Sequence, residues 1–217
     1  MTTPKALILD YGGVLTGDLG SAMDAWLAAD DIDPADFRAL MQEWLTSGAE
    51  VNPIHELELG SLPNSDFETR LAARLVTRAG EAVVADGLLL RMFAAFGEEP
   101  DMYALLVRAR QAGVKTALLS NSWGNTYPRE QFAALFDVVV ISGEVRMRKP
   151  DPEIYRLTAR HLGVDPGECV FVDDLPPNVT GATEVGMVGI RHADAATTIA
   201  EVEAIFGWKP MKTAADG

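Results

Sequence analysis

Five short runs in the chain favour extended structure: Ala6 to Asp10, Val114 to Ser120, Val138 to Ser142, Val170 to Asp173 and Met187 to Arg191. Between the last four, apolar residues recur every three or four positions, the period of a helix buried along one side. Asp151-Pro152 has the form of a helix cap followed by proline in the first turn, and Gly163 offers a stop. Within that helix Ile154, Leu157, His161 and Leu162 are predicted to share one face, while Met102, Leu105, Leu106 and Ala109 form a stripe ending at Gly113. Strands alternating with helices predict an α/β fold, a Rossmann-like parallel sheet flanked by helices. Right-handed crossovers then bring the C-terminal end of every strand to one edge.

The gap after the first run breaks this rhythm. It spans about a hundred residues, too many for a simple crossover, and its pattern is helical almost throughout. Asp33-Pro34 opens a helix carrying Phe37, Leu40, Met41, Trp44 and Leu45; Ser65-Asp66-Phe67-Glu68 has the form of a capping box, with Leu71 and Leu75 beyond it. Val83 to Phe96 is apolar enough for a buried bundle member. The expected organisation is therefore an α/β core, residues 1–17 and 98–217, with a helical cap, residues 18–97, inserted after the first strand. Gly97 to Pro100 would be the return hinge, and the chain is expected to fray from Lys209.

Composition narrows the function. The 217 residues are 48% hydrophobic and 23% charged, the balance of a folded globule. With 32 acidic against 18 basic residues the net charge is −14, which repels nucleic acid and anionic membranes, so neither is expected as a partner. The single cysteine, Cys169, excludes an intrachain disulfide and opens an apolar run where it would pack as a small hydrophobe. No apolar stretch approaches the roughly 18 residues of a membrane span, and the N-terminal run is too brief for a signal peptide, so a cytoplasmic protein is expected. Any anion site must be locally positive, and Arg146-Met147-Arg148-Lys149 is the densest cationic run.

In an open parallel sheet, ligands lie beyond the carboxyl ends of the strands. The polar residues there are Asp10, Ser120-Asn121, Arg148-Lys149 and Asp173-Asp174. Each segment alone has an ordinary structural reading as a turn, a cap or a surface charge. Together, in order and at one edge, they point to a site, and two adjacent acids call for a compensating cation.

Asp10-Tyr11-Gly12-Gly13-Val14-Leu15-Thr16, Ser120-Asn121-Ser122, Lys149-Pro150, and Asp173-Asp174 with Asn178 resemble the four motifs of the haloacid dehalogenase superfamily. The resemblance covers essentially the whole chain and is nearest to the N-terminal phosphatase domain of soluble epoxide hydrolases. It implies an enzyme in which Asp10 is a carboxylate nucleophile forming an acyl-phosphate. By the same resemblance Ser120 and Lys149 are catalytic, Mg²⁺ is held by Asp10, the backbone carbonyl of Gly12 and Asp174, and Asp173 and Asn178 support them. Asn121, Gly12, Gly13 and Trp123 are expected at the substrate, with the glycines letting backbone amides approach an anion. A small phosphorylated molecule is the expected substrate; a homodimer is left open.

Phosphatases of this family usually carry a second aspartate two residues after the nucleophile, as general acid and base. Here that residue is Gly12. Three chemistries remain: a phosphatase acting on an anomeric or acyl phosphate that needs little proton assistance; a metal-free 2-haloacid dehalogenase, against which the Asp173-Asp174 pair speaks; or a degenerate binding protein. Asp18, His55 and Glu56 are candidate replacement acids, each with a more ordinary structural reading. Trp26 and Trp44 fall on apolar cap stripes, Tyr11 is expected to pack, and the solvated face is the expected place of Arg146 and Arg148. His55, His161 and His192 show no metal-ligand spacing.

Overall fold

The computed structural model describes residues 4–46, 52–124 and 127–210. Its centre is a parallel sheet of five strands: β1 (Ala6–Leu9), β2 (Lys115–Ser120), β3 (Val138–Ile141), β4 (Cys169–Asp173) and β5 (Val188–Arg191), in the order β3-β2-β1-β4-β5. The expected Rossmann-like fold is present. In the central strands, side chains alternate between two buried faces. Leu7, Leu9, Leu118, Val170 and Val172 join one apolar cluster, whereas Ala6, Ile8, Ala117, Leu119, Cys169 and Phe171 join the other. Burial on both faces explains why these strands read as continuous apolar runs.

Helices α6 (Pro100–Gln111), α7 (Arg129–Leu135) and α11 (Ala195–Phe206) contribute to the first cluster, and α9 (Pro152–Leu162) and α10 (Pro176–Glu184) to the second. α8 (Ser142–Val145) is a single turn directly after β3. α9 is capped as predicted, with Asp151 accepting from the Glu153 N–H and Gly163 left-handed at its end. Its buried face is rotated, however: Ile154, Tyr155, Thr158, Ala159 and Leu162 are buried, whereas His161 is exposed.

From β1 the chain enters α1 (Leu19–Ala29), α2 (Pro34–Thr46), α3 (Pro53–Glu58), α4 (Asn64–Ala72) and α5 (Leu88–Phe93), whose inward residues build a third apolar cluster containing Trp26, Phe37, Trp44, Ile54, Phe67 and Leu88. Two sequence expectations fail here. Ser65 and Glu68 form no capping box: α4 begins at Asn64, one residue before Ser65, and the Glu68 carboxylate instead accepts the Leu89 N–H near the start of α5. Nor is Val83 to Phe96 one buried helix. A left-handed Gly87 delays α5, and Val84 and Leu90 are 65% and 72% exposed.

The helical segment leaves and rejoins the sheet domain on two antiparallel stretches tied by Gly17 N–H to Gly97 O (2.9 Å) and Glu99 N–H to Leu15 O (2.9 Å). It also docks near the strand ends: the Ser142 hydroxyl donates to Glu58 O (2.6 Å), and the left-handed Gly60 lies against Gly143, where a Cβ would sit 2.7 Å from the carbonyl oxygen. The expected frayed tail lies, from residue 211, outside the described residues.

Gly60→Val should therefore destabilise the protein by about 1–3 kcal/mol, through both the clash and the left-handed backbone. The shift in urea midpoint measures it, and an unchanged midpoint would rule out this close docking.

Candidate active site

The chain winds from β1 outward to β2 and β3, then returns to β4 on the other side of β1, so the sheet changes direction between β1 and β4. At such a switch point the loops after neighbouring strands part and leave a crevice. Asp10 directly follows β1, and Asp173 ends β4 with Asp174 just beyond it, on the two sides of that crevice. The loop after β1 folds back on itself, with Leu15 and Thr16 N–H groups donating to Tyr11 O (2.9 and 3.1 Å).

Lys149 links the two sides. Its side chain has no exposed surface, and Nζ lies 2.8 Å from Asp10 Oδ1 and 2.6 Å from Asp173 Oδ2. Asp173 is further engaged by the Asn178 amide (3.0 and 3.1 Å) and the Leu175 N–H (2.9 Å). Asp10 Oδ1 also accepts the Tyr11 N–H at 2.7 Å. A carboxylate oxygen from each of Asp10, Asp173 and Asp174 lies within 4.8 Å of the others. Three carboxylates thus face one ammonium, and the electrostatics show the imbalance. Burial first, then repulsion from Asp173, pushes the Asp174 carboxyl up to about 6. Burial raises Asp10 to about 8 even though Lys149 opposes the shift. Burial works against the Lys149 ammonium, but Asp10 and Asp173 outweigh it and hold its pKa above the ordinary value.

A cavity of about 220 Å³ opens on this cluster, bordered by Asp10, Gly12, Ser120, Asn121, Trp123, Lys149, Asp174 and Asn178 among others. Ser120 is buried beside Tyr127, their hydroxyls 3.0 Å apart. The Asn121 amide is held at both ends by the Lys149 backbone, accepting from its N–H (2.8 Å) and donating to its carbonyl (3.1 Å), so it positions the lysine segment. A Cβ on Gly12 would meet nothing within 4 Å, whereas one on Gly13 would come 2.9 Å from Asp174. The expected role of Gly13 as an amide donor to an anion does not fit: its N–H is taken by the Thr16 hydroxyl (2.8 Å), and it borders a different cavity.

None of the three candidate replacement acids borders the Asp10 cavity. Asp18 caps α1, Glu56 pairs with Arg70, and His55 is half-buried, its imidazolium disfavoured by burial and by Arg148. The sequence reading missed Glu58, which does border it. Glu58 is buried, accepts from Arg148 Nε (2.5 Å) on one oxygen and from the Trp123 indole N–H (3.2 Å) on the other. This corrects the solvated reading of Arg148, which a cap carboxylate draws inward. One signal was available: Glu58 stands four residues after Ile54 and one after Leu57, on the buried side of α3. Tyr11 packs against Tyr127 and Phe132, as expected. Trp123 borders the cavity and also packs edge-on against Phe67, with ring centroids 5.8 Å apart.

The sequence profile of the haloacid dehalogenase-like hydrolases matches residues 4–186. The chain belongs to that family. This hydrolase is 31% identical over 191 residues to a phosphatase of Mycobacterium tuberculosis, covering 84% of each chain. It is 26% identical over 226 residues to pig bifunctional epoxide hydrolase 2, covering 97% of this chain. It spans between 19% and 40% of the length of the long curated relatives it matches first. Among solved structures, a family enzyme from Bacteroides thetaiotaomicron in complex with magnesium and inorganic phosphate superposes with a TM-score of 0.64 at 22% identity, covering 87% of this chain and 93% of that one. Among the described residues no helix of the hydrolase is long and apolar enough to cross a membrane.

The raised carboxyls have a consequence for folding. Asp10 and Asp174 shift from 3.8 upward, to about 8 and about 6, so between those limits the folded state holds more protons than the unfolded one. In chelator, stability should therefore fall as pH rises from 5 to about 8, and Asp10→Asn should flatten the slope. Urea midpoints across that range test this; a midpoint that rises with pH in both proteins would contradict it.

Proposed function

We propose that this hydrolase is a Mg²⁺-dependent phosphatase acting on small phosphorylated metabolites through an aspartyl-phosphate on Asp10. The observation that carries the reading is the buried Lys149 bridging Asp10 and Asp173, with Asp174 close enough to share an ion with Asp10. Its relatives include a phosphatase and an enzyme whose structure holds magnesium and phosphate, which supports the same chemistry.

The residues fit a hard divalent cation. Magnesium favours oxygen donors and usually takes one or two carboxylates, completing its shell with water and substrate. Asp173 is already engaged by Lys149, Asn178 and Leu175, so Asp10 and Asp174, with the Gly12 carbonyl, are the donors we assign, and Asp173 and Asn178 hold Lys149 and the loop in place. Bound there, Mg²⁺ would neutralise the charge that otherwise keeps an anionic carboxylate from an anionic phosphate.

Asp10 attacks phosphorus as the bond to the leaving oxygen breaks, and the leaving group departs as its anion; water then cleaves the acyl-phosphate, releasing phosphate and restoring Asp10. Among the described residues the two hydrogen bonds to the Asp10 carboxylate fall on Oδ1, so we assign Oδ2 as the attacking oxygen. Lys149 and the Ser120 hydroxyl supply positive potential where phosphoryl oxygens gather charge. Gly12 provides no proton for the leaving group, so activated phosphates are the suited substrates. The helical segment, residues 18–97, acts as the cap that covers the site and selects what enters.

Phosphate release from an activated aryl phosphate should require Mg²⁺ and vanish in Asp10→Asn. Halide release from a 2-haloacid in chelator would identify a dehalogenase instead, and inertness toward both substrate types would leave a binding protein. Space at position 12 allows a second test. Gly12→Asp should raise turnover of unactivated alkyl phosphates relative to aryl phosphates by about 10²-fold or more, since a positioned general acid contributes about 10²–10⁴. An unchanged ratio would show that proton supply does not limit the reaction.

A further inference from the structure

The cavity over Asp10 has two unlike kinds of lining. One is ionic, from Asp10, Lys149 and Asp174. The other is apolar, from Leu19, Met23, Met92, Phe93 and Phe96 of the helical segment and Leu175 of the sheet domain. Polar side chains that might have offered hydrogen bonds are engaged elsewhere. The Trp123 indole N–H donates to Glu58, the Asn178 amide to Asp173, and the Asn121 amide is held by the Lys149 backbone. What remains of the lining is mainly carbon. At about 220 Å³ the space is smaller than the roughly 300–1,000 Å³ of drug-sized sites, enough for a phosphoryl group and a short chain.

Charge points the same way. Among the described residues bordering the cavity, Lys149 is the only cation. Arg148 is the neighbour in sequence best placed to receive a second anion, but Glu58 holds its guanidinium at 2.5 Å and puts a carboxylate on the wall. A sugar would find few hydrogen-bond partners here, and unpaired polar groups on a bound ligand are penalised strongly. A second carboxylate or phosphate would meet Glu58.

We propose that the substrate is an activated phosphate, of the acyl phosphate class, whose remaining part is short, apolar and uncharged, and that Glu58 excludes a second anionic group by holding Arg148. This rests on the phosphatase reading and chooses within it. Acetyl, butanoyl and hexanoyl phosphates test it well, because the leaving carboxylate keeps nearly the same basicity as the chain grows. Enzyme-dependent phosphate release with Mg²⁺ is measured above the uncatalysed rate.

In the native protein kcat/KM should rise about threefold to fourfold per buried methylene until the cavity is full. Succinyl phosphate should react about tenfold or more below butanoyl phosphate. Glu58→Gln should narrow that gap by freeing Arg148, without removing the chain-length trend. Arg148→Gln, which leaves the Glu58 charge without its cation, should widen it, so the two variants check one another if either folds poorly. A flat chain-length series, or native preference for succinyl phosphate or glucose 1-phosphate, would overturn the apolar substrate class while the phosphatase reading stands. A gap that moves in neither variant would remove Glu58 from specificity. Absence of phosphate release from every acyl phosphate and from the aryl phosphate would overturn both.

Discussion

A lysine without exposed surface, held between two aspartates where the sheet changes winding direction, is the constraint around which this molecule is arranged. Burying an ammonium is unfavourable unless its charge and its hydrogen bonds are both answered, and Lys149 is answered from two different strands. The same contact ties three segments distant in sequence: the residue after β1, the segment after α8 and the last residue of β4. Asn121, from the end of β2, adds a fourth by gripping the Lys149 backbone. The carboxylates still outnumber the ammonium, so the cluster retains negative charge at the floor of a cavity. Burial first, with repulsion among the acids added to it, raises the carboxyls of Asp10 and Asp174.

The helical segment reaches this cluster through a few specific contacts near the strand ends. Glu58 offers its backbone carbonyl to Ser142 and its two carboxylate oxygens to Trp123 and Arg148. Gly60 lets the backbone after α3 press against Gly143, a contact too close for a side chain. Glu58 and Trp123 also border the cavity, so part of what docks the helices is part of the cavity wall.

Much of the sheet was legible from the pattern. Cys169-Val-Phe-Val-Asp reads as a buried strand because it is apolar on both faces, and it is one. Asp151-Pro152 and Gly163 bound a helix because capping is local chemistry, set by neighbours in sequence. The acids at the strand ends were legible too, since parallel topology sends those ends to one edge. Elsewhere the local signal misled. Ser65 and Glu68 have capping-box spacing, yet Glu68 finds a better donor in Leu89, brought near by tertiary packing. His161 lies on the predicted stripe of α9, but the direction of docking on the sheet leaves it exposed.

What the sequence determined by itself was the alternation of elements, the order of the four chemical segments and the absence of an acid at Gly12. Each of these follows from residue type and short spacing alone. What only the tertiary structure decided was which polar groups are already engaged. Glu58 rather than Glu56 faces the cavity, Arg148 is drawn in rather than solvated, and the Gly13 amide turns to Thr16. Such outcomes depend on how helices and loops distant in sequence dock against one another. A side chain's availability for chemistry is set by its neighbours in space, and those are the contacts that one-dimensional pattern does not record.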